Sequence, residues 1–108
     1  MKIAVLMFIL FQLPLSIHLV DVSETHLPQA DLAKNSMDVV ARDLDGDGDL
    51  DLVIACEFCP NMILINDGTG KMTNESTTRL PQKRHDSEDI AAEDFDGDGD
   101  IDLVFVSE

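Results

Sequence analysis

Apolar residues in this chain come in short runs, separated by polar stretches that carry glycine or clustered aspartate. Asp38 to Ala41 holds a short apolar segment. Leu52-Val53-Ile54-Ala55 is a continuous apolar run, the pattern of a strand covered on both faces, and Leu103-Val104-Phe105-Val106 repeats it. Met62-Ile63-Leu64-Ile65 is a further run. Asn66-Asp67-Gly68-Thr69-Gly70 then supplies turn chemistry, with glycines free to take positive φ. Met72 to Thr78, rich in Thr and Ser, reads as the returning strand. Nothing beyond the N-terminal segment shows a 3.6-residue period over a helical length. The pattern predicts an all-β fold.

The runs recur. Asp38 to Glu57 repeats as Asp89 to Glu108 at a constant offset of 51 residues. Of those 20 positions 12 are identical, and most of the others exchange one apolar residue for another, so the two blocks are copies of one structural unit. The likeness extends upstream at an offset of 53, where Leu19 to Gln29 matches Met72 to Gln82 and both copies carry Leu-Pro-Gln. A unit of about four strands in roughly fifty residues has the size of one propeller blade. About two such units are present, in residues 19–108.

The N-terminus differs from the units. Met1-Lys2 is followed by an unbroken apolar run from Ile3 to Phe11, then Gln12, Pro14 and Ser16. This order fits a secretory signal peptide over residues 1–18, cleaved after Ser16 or within the next few residues. An uncleaved anchor helix is the alternative, but Ile3 to Val20 is barely long enough to span and is interrupted by Gln12, Pro14 and His18. The repeating unit begins close to where the signal should end, which agrees with cleavage there. The chain is expected to be secreted, extracellular or at a cell surface, with the periplasm as a further compartment.

Charge sharpens the picture. Among 108 residues, 22 Asp and Glu stand against 7 Lys and Arg, a formal net charge of −15. Such acidity argues against nucleic acid, which wants a basic footprint, and against docking on anionic lipid. Much of the excess comes from two stretches. Asp43-Leu44-Asp45-Gly46-Asp47-Gly48-Asp49-Leu50-Asp51 places five carboxylates in nine residues, and Asp94-Phe95-Asp96-Gly97-Asp98-Gly99-Asp100-Ile101-Asp102 does the same.

Alternating carboxylates on a tightly curled backbone suit a hard divalent cation. Counting from Asp43, positions 1, 3 and 5 (Asp43, Asp45, Asp47) supply side-chain oxygens, and glycine at position 6, Gly48, allows the sharp turn. Position 7, Asp49, offers its backbone carbonyl, and Asp51 at position 9 closes the shell. The second loop reads alike: Asp94, Asp96, Asp98, Asp100 through its carbonyl, and Asp102. An all-oxygen set of this number points to Ca2+, in two sites, whereas zinc or copper wants His or Cys. Carboxylates about 5 Å apart repel by about 3 kcal/mol per pair at an effective dielectric near 20. The empty loops should therefore be partly disordered, and the bound ion structural. An EF-hand needs a bidentate Glu at position 12 and flanking helices; Ile54 and Phe105 stand there, between apolar strands. An acidic turn that holds no metal is the plain alternative, and retention of every aspartate and glycine in both copies weighs against it.

The apolar strand into Asp-x-Asp-Gly-Asp-Gly-x-x-Asp, the Asp-Leu-Val strand out and Asn-Asp-Gly-Thr-Gly after the next strand resemble the VCBS and FG-GAP repeats. Those repeats form the blades of integrin-type β-propellers and of many secreted bacterial proteins. The resemblance covers nearly all of Leu19 to Glu108. It implies a propeller blade with calcium in the loop between the first two strands, and no shared catalytic residues. Neither a Phe-Gly nor a Gly-Ala-Pro signature is present, which puts the chain nearer the VCBS branch. A closed propeller needs about four blades or more. Further blades or another copy of the chain are therefore expected to complete the fold, and the isolated chain is expected to fold poorly.

Other features carry less. Cys56-Glu57-Phe58-Cys59 is read as a small local disulfide or two plain thiols in the loop after a strand. A redox pair would open a helix, and a zinc half-site lacks its other ligands. His26 and His85 read as solvated loop residues, and Lys83-Arg84-His85 as a solvated turn. Asn74-Glu75-Ser76 is a glycosylation sequon. Taken together, the residues predict a non-enzymatic calcium-binding module with a structural, adhesion or interaction role, its ligand a protein or glycan. The alternative is the N-terminal propeller part of a larger extracellular hydrolase or lyase whose catalytic residues lie elsewhere.

Overall fold

The computed structural model describes residues 17–29 and 35–108; the expected signal peptide falls almost wholly on residues 1–16, outside them. The elements run α1 (Ser23–His26), β1 (Ser36–Arg42), β2 (Asp51–Cys59), β3 (Met62–Asn66), β4 (Met72–Asn74), α2 (Ser76–Arg79), β5 (His85–Glu93) and β6 (Asp102–Ser107). All six strands belong to one open antiparallel sheet, so the all-β expectation holds. Among the described residues no helix is long and apolar enough to cross a membrane.

The period of the sequence is also the period of the register. β1 pairs with β2 from Arg42 opposite Asp51 to Asp38 opposite Ala55, and a bulge precedes Ser36 opposite Cys56. β5 and β6 pair in the same way: Glu93 opposite Asp102, Asp89 opposite Val106, then a bulge before Ser87 opposite Ser107. Even the irregularity recurs at an offset of 51. On the other side of β2, Val53 lies opposite Ile63 of β3, and β4 continues the meander from Asn66 opposite Met72. The end of β2 reaches past β1 and pairs with the start of β5, at Glu57–Asp86 and Cys59–His85.

Side chains alternate across these strands. Val53, Ala55, Ile63 and Ile65 form one face of the first unit, and Ile90 of β5 is buried against them. Leu80, Leu103 and Phe105 pack on the same cluster from the second unit. The core therefore sits between the units, and each large apolar side chain buried there contributes about 1.5–3 kcal/mol. A polar bridge crosses the same junction. The Asn61 side chain accepts from Cys56 N–H at 2.9 Å and donates to Ser87 Oγ at 3.1 Å, all within the buried interior. Asn61→Ala is expected to destabilise the chain by about 1–3 kcal/mol, measured by urea denaturation, because it orphans both groups.

One local expectation is corrected and two others are made more specific. The returning strand expected over Met72–Thr78 ends at Asn74, and Ser76–Arg79 is one helical turn. Asn74 Oδ1 accepts from the Ser76 N–H at 3.0 Å and also from its hydroxyl, which favours a turn over continued strand. The equivalent turn in the first unit, α1, is built alike: Asp21 Oδ1 accepts from Ser23 N–H at 3.0 Å and from its hydroxyl at 2.6 Å. The shared Leu-Pro-Gln closes both turns, since Gln29 donates to Ser23 O and Gln82 to Ser76 O. Secondly, the cysteines are joined as a disulfide, with Cα atoms 5.4 Å apart, and lie in the last residues of β2 rather than in a loop after it. Thirdly, the sequon residues Asn74 and Ser76 are engaged in the turn, with Ser76 only 4% exposed and accepting the Ile63 N–H at 2.9 Å.

Candidate metal centre

Each acidic loop joins the first two strands of its unit, β1 to β2 and β5 to β6. The first carboxylate organises the backbone. Asp43 Oδ1 accepts from Gly46 N–H at 2.8 Å and Oδ2 from Gly48 N–H at 3.0 Å. Asp94 does the same with Gly97 at 2.7 Å and Gly99 at 3.0 Å. Gly46 and Gly48 lie at φ of 80° and 93°, with open space where a Cβ would stand. Glycine is needed here for its conformation, not for room.

The curl brings oxygens of Asp43, Asp45 and Asp51 within 4.8 Å of one another, and those of Asp94, Asp96 and Asp102 likewise. Three of the five predicted aspartates in each loop thus converge. Asp47 and Asp98 stand outside the triads and accept the Asp49 and Asp100 N–H groups at 2.9 Å. Asp49 and Asp100 stand outside the triads, consistent with the carbonyl role expected of position 7. Crowding shows in the charges. Packing of the loop around Asp45 holds its carboxyl above the usual aspartate range, and the Asp47, Asp51 and Asp43 charges push the same way, against a hydrogen bond from Asp47 that lowers it.

The two centres differ in their ninth position. Asp51 is fully buried: Oδ2 accepts from Leu44 N–H at 2.9 Å and Oδ1 from Asn66 N–H at 2.8 Å. Asp102 is half-buried and accepts from Phe95 N–H at 3.0 Å. The difference comes from the end of β3. Asn66 also donates through its side chain to Leu50 O at 3.2 Å and accepts from Gly68 and Gly70, so its turn buttresses the first loop. A Cβ on Gly68 would stand 2.7 Å from Asp49 Oδ2, so that turn lies directly against the loop. Sequence reasoning found the turn but not its contact with the loop.

The FG-GAP-like repeat model matches residues 43–105, from the first carboxylate of one loop to the strand leaving the other. The chain belongs to the FG-GAP-like repeat family. No curated protein and no solved structure matches it. The family is recognised here without a Phe-Gly or Gly-Ala-Pro signature, through the loops and their flanking strands. Among the described residues of this FG-GAP-like repeat protein, no histidine or cysteine joins either triad. His85 opens β5, exposed beside exposed Lys83 and Arg84, and His26 ends α1 with its ring against the Thr25 hydroxyl.

Proposed function

We propose that this chain is a secreted, non-enzymatic module of propeller-type blades, in which two calcium ions pin the loops between the first two strands of each unit. The observation that carries this reading is the duplicated triad: the same three carboxylates converge at the same corner of both units, on the same glycine-held backbone. Oxygen ligands in flexible geometry suit calcium better than magnesium, which demands a tighter octahedron. Asp43, Asp45, Asp51 and Asp94, Asp96, Asp102 supply carboxylates, the remaining loop aspartates complete the shells, and the protein or glycan ligand meets exposed loops. Extracellular calcium is abundant enough for sites with Kd of about 10⁻⁴–10⁻³ M.

Titration calorimetry of the purified chain with calcium is expected to show two equivalents bound, and weaker binding of magnesium. Asp43→Ala together with Asp94→Ala is expected to abolish binding. Undiminished calcium binding by the double variant overturns the assignment.

A further inference from the structure

The two units stack in one direction only. The face of β1 and β2 bearing Val53 and Ala55 in the first unit packs on the face of β5 and β6 bearing Ile90 and Phe105 in the second. Besides the Asn61–Ser87 bridge, the junction has two polar anchors. Asp38 Oδ2 accepts from Ile90 N–H at 3.2 Å, and Arg42 pairs with Glu93 while donating to Ala92 O at 3.1 Å.

Each unit also carries the face its neighbour uses, and those two faces are open. Val53 and Ala55 are 0% exposed, whereas Val104 and Val106, at the same places one unit later, are 49% and 54% exposed. Ile90 is 7% exposed, whereas Val39, its equivalent one unit earlier, is 57% exposed. The second unit thus presents an uncovered apolar face of the kind that packs inside the chain, and the first unit presents the uncovered surface that receives it.

The charges match as well. Glu93 occupies in the second unit the place that Arg42 occupies in the first. Stacking the second unit of one molecule on the first unit of another therefore brings Glu93 of the one to Arg42 of the other. Asp89 likewise stands where Asp38 stands, with Oδ1 accepting from Ile90 N–H at 2.8 Å.

We propose that the Val104–Val106 face of β6 docks on the Val39 face of β1 in a second copy of this chain, head to tail, in a repetition of the internal junction. The inference rests on the stacking of the two units and not on the calcium reading. A head-to-tail contact is heterologous, so it closes into a ring or grows as a filament. Ile63 and Ile65 of β3 widen the internal junction, and no described residue repeats them beyond β6. The contact between copies is narrower than the one within the chain, and assembly depends on concentration.

The test is sedimentation velocity of the purified chain in calcium across a wide concentration range, with circular dichroism to verify folding. The wild type is expected to move to multiples of the chain mass as concentration rises. Val39→Asp and Val104→Asp, each on a half-exposed side chain, should each weaken assembly at least tenfold. A mixture of the two should form only a two-chain species, since each variant keeps the face the other has lost. A folded wild type that stays monomeric throughout overturns the proposal. So does a mixture that assembles no better than its components. Calorimetry on the same samples keeps a failure of calcium binding separate from either result.

Discussion

Asp51→Asn is expected to lower the unfolding free energy measured in saturating calcium by about 3–5 kcal/mol, and Asp102→Asn by about 1–2 kcal/mol. Both substitutions keep the shape of the side chain. An amide, however, has one acceptor oxygen where the carboxylate has two. At the fully buried Asp51 both oxygens receive a backbone N–H, from Leu44 and from Asn66. One of those donors would then face an NH2 group, and a buried donor left without a partner costs about 1–3 kcal/mol. Loss of a negative ligand weakens the ion as well. Asp102 receives Phe95 N–H alone and is half-buried, so water can replace what the amide does not supply. Parallel urea titrations decide the matter. Equal losses at the two positions would show that the Asn66 buttress contributes nothing.

Chelation of calcium is expected to have the next largest effect. A ligand at ten times its Kd stabilises by about 1.4 kcal/mol per site, so two filled sites lost together remove about 2.8 kcal/mol. The melting temperature should fall by several degrees on adding chelator and recover with excess calcium. The pH dependence should change with it. Asp45 holds its proton above the usual aspartate range in the folded, empty loop, chiefly because the loop packs around it. A group whose folded pKa is raised adds stability below its unfolded pKa and loses it as pH rises through the folded value. Thermal melts in chelator should therefore lose this contribution with rising pH. In calcium the cation displaces the proton, so the loop should gain stability over the same interval. Melts unaffected by calcium at any pH would contradict a structural role for the ion.

What was legible in the sequence was whatever repeats or alternates. The aspartate spacing pointed to side-chain oxygens of Asp43, Asp45, Asp47 and Asp51 converging; those of Asp43, Asp45 and Asp51 do, while Asp47 stands outside the triad and accepts the Asp49 N–H. The offset of 51 carried the strand register, and even its bulge, from one unit to the next. Isolated side chains were not legible. Asn66 reaches Asp51 across 15 residues, and Asn61 reaches Ser87 across 26, with no periodic signal to announce either contact. Four-residue helical turns are too short to show a period at all. Ser and Thr around Ser76 suit a strand and a turn equally well, and the Asn74 side chain decides for the turn. The match to the FG-GAP-like repeat rests on the legible part.

The last residues of β2 extend beyond β1 and take up the first residues of β5. This overhang gives chain growth a direction. Domains generally fold as units, the N-terminal one first, during synthesis. The β1 to β4 meander can close from near neighbours in sequence as it emerges, since each strand pairs with the one before it. Its overhanging edge is then in place as a template when β5 leaves the ribosome. The later unit adds to this edge and completes the core that lies between the two units.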